Sequence, residues 1–178
     1  MINLSGHGQT PGSVRRISYF AVLTAAAFVL SAAESMIPVP VPAPGFKLGL
    51  ANTVTLIVLI NEKNPLYALV ITIIRCILTT IILGAFSSLL FSLAGGIFSC
   101  IVMWFLLRLH FIFSVIGASV GGAITHNMAQ LSAAALIARD TAVYSYMPIL
   151  LAAGMAAGFA TGFIAVRINR IIKIPNKL

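Results

Sequence analysis

Arg75 sits about ten residues from either end of the apolar run Leu66 to Gly84. A side chain that deep does not snorkel out easily, and a charge at the bilayer centre costs about 2.5 to 3.5 kcal/mol even on the lower scale. Arg75 therefore calls for an internal partner, for which Glu34 is the candidate, or for a ligand in a wet cavity, and both can hold at once. The segment THNMAQ supplies a second polar set. His126 and Gln130 are four residues apart and share a helical face, and Asn127 lies beside them at about 100° around the helix. Three polar side chains on one turn of an apolar helix need partners, either interhelical hydrogen bonds or a ligand with its ordered water. Glu34, Lys47 and Asn52 complete the candidate binding set. Lys47, Arg75 and a protonated His126 suit an anionic or carbonyl-rich solute, with Phe46, Phe86 and Phe91 as apolar walls.

Other chemistries are excluded by composition. The chain holds one Asp and two Glu, so it cannot build the paired aspartate-rich motifs that hold magnesium diphosphate. It has no Walker A loop, no GxSxG elbow and no HExxH. Cys76 and Cys100 lie inside apolar runs without CxxC spacing or nearby His, as buried small hydrophobes do. No catalytic residue, metal or cofactor is expected, and the chain reads as a binding protein, not an enzyme.

The elements that must position these residues are membrane spans. Of 178 residues, 60% are hydrophobic and 8% charged, far outside soluble usage. Eleven Lys and Arg against three acidic residues give a net charge of +8. The basic residues flank the apolar runs and form no aromatic-interleaved face, so the excess points to membrane orientation and not to nucleic acid. The spacing predicts six spans: Ile17 to Ile37, Leu48 to Ile60, Leu66 to Gly84, Ala85 to Leu107, Phe111 to Ile137 and Ser145 to Val166. The second is short and its start the least defined. Residues 1–16 read as a flexible cytoplasmic leader, 17–166 as the six-helix membrane domain and 167–178 as a basic cytoplasmic tail. Arg15 and Arg16 before an apolar core ending in Ser31-Ala32-Ala33 also have the outline of a signal peptide, against which the second span that follows directly argues. With both termini in the cytoplasm, inside segments hold eight basic residues (Arg15, Arg16, Lys63, Arg108, Arg167, Arg170, Lys173, Lys177) and outside segments two (Lys47, Arg139), which fits the positive-inside rule.

Between the first two spans, Pro38, Pro40, Pro42 and Pro44 alternate, each fixing its own φ and extending the residue before it. The result is a stiff outer strap running to Lys47, either a rigid turn or a lid over a pocket. Small residues at helix-packing spacing mark Gly117 and Gly121, Gly154, Gly158 and Gly162, and Ala21 and Ala25, for contacts first of all within this chain.

The order of a small-residue first helix, a Pro-rich strap, GFKLGLANTVTL, an intramembrane Arg, FSLAGGIFS and GASVGGAITHNMAQ resembles the Gx transporter family of bacteria. That family is often labelled heptaprenyl diphosphate synthase component I. The likeness covers roughly Ser18 to Phe163, with KLGLAN and GGAITHNMAQ its more specific blocks. More distantly the chain is similar to the S components of energy-coupling factor (ECF) transporters. The resemblance implies an all-α integral membrane protein of the cytoplasmic membrane with an S-component-like bundle of six transmembrane helices. It also implies a small-molecule solute, an ECF-type coupling subunit with ATPases as partners, docking through Ala21 and Ala25, and a lid from Pro38 to Lys47. Its family label implies isoprenoid-quinone metabolism as the other reading, and the company its members keep implies a membrane anchor of a flavin-based redox system.

Overall fold

A computed structural model describes residues 11–36, 49–62, 64–84 and 86–172. The proline strap, with Phe46 and Lys47, lies outside the described residues, as do most of the expected leader and the end of the tail. Among the described residues six α-helices follow one another: α1 Pro11–Ser35, α2 Asn52–Asn61, α3 Leu66–Leu83, α4 Leu89–Arg108, α5 Val115–Ala138 and α6 Met147–Ile172. Short 3₁₀ turns at Phe86–Ser88 and Thr141–Tyr146 lead into α4 and α6. No strand is found among the described residues.

Helix ends follow local chemistry. Pro11 opens α1, where its missing N–H is no loss. Gly84 closes α3 in the left-handed conformation. The Ser114 hydroxyl accepts from Gly117 N at 3.1 Å and caps α5, so that helix begins four residues later than the apolar pattern predicts. α6 continues past Val166 to Ile172, placing Arg167 and Arg170 on the helix itself.

Among the described residues four stretches are long and apolar enough to cross a membrane: Val14–Ser35, Leu66–Leu83, Phe86–Arg108 and Thr141–Ile171. α5, with 24 residues, is long enough but more polar. It runs between α4 and α6, packing against both more closely than any other pair of helices packs. α2 has 10 residues, about 15 Å of helix and half a bilayer core. The expected second span thus resolves into a half-length helix that touches all five others. Burial on every side explains why its residues Asn52 to Leu59 show no polar face.

Large apolar side chains from α1, α3, α4, α5 and α6 point outward, among them Val22, Val29, Ile74, Ile81, Phe98, Phe105, Leu136 and Phe159. A bundle with so much apolar surface matches lipid as its solvent. The apolar core lies around α2, where Leu56, Ile57 and Val58 meet Ala27, Ala68, Ile71, Cys100, Met103 and Ala165.

The glycines of α6 set its distance from α5. Ideal Cβ atoms on Gly158 and Gly162 would stand 2.7 Å from Val120 Cα and 3.0 Å from Ile116 Cα, so the two backbones nearly touch. Gly121 faces Leu106 and Val102 of α4, while Gly117 lies over Ser114 and Phe113 of its own first turn. These stripes pack within the chain.

One end of the bundle is fixed by polar contacts between the start of α1, the α2–α3 turn and the end of α6. Arg16 pairs with Glu62 at 3.1 Å and lies 4.8 Å from the ring centre of Tyr67. Asn61 Nδ2 donates to Asn169 Oδ1 at 2.8 Å. The start of α1 and the end of α6 therefore share an end.

Candidate functional site: a buried polar chain at mid-bundle

Glu34 lies near the end of α1 and is 1% exposed. Its Oε1 accepts from the backbone N–H of Gly49 and, at 3.3 Å, of Leu50. Those amides open the turn that leads into α2, where Asn52 N, Thr53 N and Val54 N reach back to the carbonyls of Gly49, Leu50 and Ala51. A carboxylate there meets free N–H groups and the positive end of the helix dipole. Ala51 offers no side-chain cap, so Glu34 caps α2 from a neighbouring helix. Gly49 has a φ of +86°, and a Cβ on it would lie 2.9 Å from Asn52 Nδ2. Glycine is required there on both counts. This turn delays the start of α2 to Asn52, four residues after the predicted Leu48.

Asn52, at the first turn of α2, is the hub. Arg75 Nη2 donates to its Oδ1 at 3.0 Å. With the oxygen committed, Nδ2 donates to Ser99 Oγ at 3.1 Å and lies 3.4 Å from His126 Nδ1. An amide N–H facing Nδ1 suits the tautomer in which that nitrogen accepts. Among the described residues, the ion pair within 4 Å is Arg16–Glu62, and the polar partner of Arg75 is Asn52 rather than Glu34. Thr79 Oγ1 donates to Arg75 O at 2.7 Å, and Thr72 and Thr55 bond hydroxyl to hydroxyl at 3.0 Å across α2 and α3.

Gly95 of α4 lets His126 and Gln130 into the interior. A Cβ there would stand 2.8 Å from His126 Cε1 and 3.0 Å from Gln130 Cγ. Asn127 turns the other way and donates to Leu150 O of α6 at 2.7 Å, beside Gly154. The helical offset that put Asn127 beside the other two thus carries it to the α5–α6 seam.

The structure therefore brings Asn52, Arg75 and His126 together, with Glu34 one backbone turn away through Gly49 and Gln130 beside the imidazole. Asn127 stands apart, and Lys47 lies outside the described residues. Phe86 points outward and forms no wall, and Phe91 packs with Leu131, Ala134 and Leu150. Ser99 and Ser92 are among the buried polar residues that sequence reasoning missed. They lie with Gly95, Gly96 and Met103 on one stripe of α4 at three- and four-residue spacing, all buried, and that spacing was the signal. Among the described residues no three His, Cys, Asp or Glu side chains gather to hold a metal.

A family model described as heptaprenyl diphosphate synthase component I matches residues 23–168. The chain belongs to that family. No curated protein and no solved structure matches the chain. The match spans the end of α1 through α6, so every member of the buried polar chain lies inside it. For this member of the heptaprenyl diphosphate synthase component I family, the helical bundle and its apolar surface mark a membrane component, and the family's description implies a partner component.

Proposed function

We propose that the chain is a solute-binding membrane protein that works like the S component of an ECF transporter and carries out no chemistry of its own. It crosses the membrane six times with both termini in the cytoplasm and takes an anionic or amphiphilic cofactor or precursor from the outer side. The observation that carries this reading is the buried chain Arg75–Asn52–His126, built from three helices inside an apolar bundle. Intramembrane ionisable groups that converge in this way are a solute site by default. With three acidic residues in the chain, and Glu34 engaged in capping α2, the groups that would position magnesium diphosphate for a prenyl transfer are missing.

Docking to a coupling subunit is assigned to α1. Ala21 and Ala25 are exposed there along with Val22, Ala26, Val29 and Ala33. Among the described residues α1 packs only on α2 and α3, so this small-residue face is open to a second membrane protein.

The family's description favours a second reading, a membrane component of heptaprenyl diphosphate synthase. Native mass spectrometry of protein purified gently from its own host separates the two. A bound small molecule with a co-purifying coupling subunit supports the solute reading. A co-purifying soluble synthase subunit, with prenyl chain elongation by the reconstituted pair, would replace it.

A further inference from the structure

Two buried polar atoms on helices that pack together lack a hydrogen-bond partner among the described residues: Arg75 Nε on α3 and Ser92 Oγ on α4. Arg75 is 2% exposed and Ser92 3%. Their neighbourhood is fixed by the contacts around them. Cys76 Sγ lies 3.5 Å from Ser92 O. Gly96, one turn further along the same face of α4, has a Cβ position 3.4 Å from Arg75 Nη2 and 3.8 Å from Cys76 Sγ. Asn52 engages the guanidinium only through Nη2. A guanidinium N–H and a hydroxyl left buried without acceptors are both costly, and native interiors rarely leave such groups unpaired.

We propose that Arg75 Nε–H and Ser92 Oγ–H together anchor a carboxylate of the solute between α3 and α4. This deepens the solute-binding reading and rests on it. Two donors from adjacent helices match the two oxygens of a carboxylate, and the planar guanidinium gives the contact direction. Charge selects the class of anion. Arg75 is the described cation of the site, and its one positive charge balances one negative charge. A carboxylate adds one negative charge. A phosphate monoester adds about 1.5 to 2 near neutral pH and a diphosphate more, far from water and against one guanidinium.

The test uses the full chain in lipid nanodiscs with ¹⁵N-labelled arginine. The Nε–H resonance of Arg75 is identified by its loss in Arg75→Lys. Formate, the smallest carboxylate, is titrated beside inorganic phosphate and farnesyl diphosphate. Formate is expected to shift the Arg75 resonance saturably and the other two at equal concentration to leave it in place. Ser92→Ala, which removes only the hydroxyl oxygen, is expected to weaken formate about tenfold. An Arg75 resonance indifferent to formate, one that responds more strongly to phosphate or farnesyl diphosphate, or a formate titration unchanged in Ser92→Ala would each overturn the carboxylate anchor. A native small molecule still found on the wild-type protein in that event leaves the solute reading standing. An anchor that titrates in a protein carrying no native solute would instead count against that reading alone.

Discussion

Asn52 Oδ1 accepts from Arg75 Nη2 at 3.0 Å, and this single bond decides the direction of the whole amide. Because the oxygen faces α3, the nitrogen faces Ser99 and His126. A polar chain through three helices at mid-bundle thus takes its polarity from an arginine. Asn52→Asp keeps the acceptor and removes the donors. It should hold Arg75 while releasing His126, and a histidine ¹⁵N spectrum reporting the tautomer of His126 would show the change. An unaltered tautomer would mean that Asn52 does not set it.

Glu34→Gln tests the cap supplied in trans. The amide retains one acceptor oxygen but loses the charge that meets the N–H groups of Gly49 and Leu50. A loss of about 1 to 2 kcal/mol is expected from a charged cap of this kind, read as a lower melting temperature of the purified protein. An equal loss in Ser35→Ala, one residue away, would point to a general sensitivity of the helix end.

Gly158→Ala places a methyl 2.7 Å from Val120 Cα. Backbone cannot yield as a side-chain tip does, so α5 and α6 must separate, at about 1 to 3 kcal/mol. The melting temperature should fall clearly. Ala21→Leu with Ala25→Leu, on the exposed face of α1, should leave it unchanged and abolish only the capture of a coupling subunit. If the α1 variants unfold the protein and Gly158→Ala does not, the assignment of inner and outer small-residue faces is wrong.

The surface pair Arg16–Glu62 predicts little. Its side chains are 44% and 21% exposed, so Glu62→Gln should cost at most about 1 kcal/mol. Arg16→Ala should cost somewhat more, because the guanidinium also covers the rings of Tyr67 and Phe20. Thermal unfolding at low and at high salt separates the two contributions, since only the ion pair is screened.

What could be read from the sequence follows from which interactions are local. α3 and α4 were legible because long apolar runs ending at Gly84 and Arg108 specify them without help from elsewhere. Arg75 and His126 were legible as site residues because their types are out of place in such runs. The start of α2 was not, since it depends on Glu34, fifteen residues earlier, reaching the amide of Gly49. The divergence of Asn127 from His126 depends on which helices flank α5, and no spacing within α5 states that. Ser92 and Ser99 were passed over because serine is common in membrane helices. Their three- and four-residue spacing with Gly95, Gly96 and Met103 marks the inward face of α4.

The account rests on a solute held by the Arg75–Asn52–His126 chain, and the most direct test compares three purified proteins by native mass spectrometry: wild type, Arg75→Lys and Gly95→Ala. Arg75→Lys keeps the charge and loses the guanidinium fork, while Gly95→Ala drives a methyl toward His126 Cε1 and Nδ1, at 2.8 and 2.9 Å. The account predicts a small molecule on the wild type that both variants lose. The same molecule retained at full occupancy by both variants would contradict it.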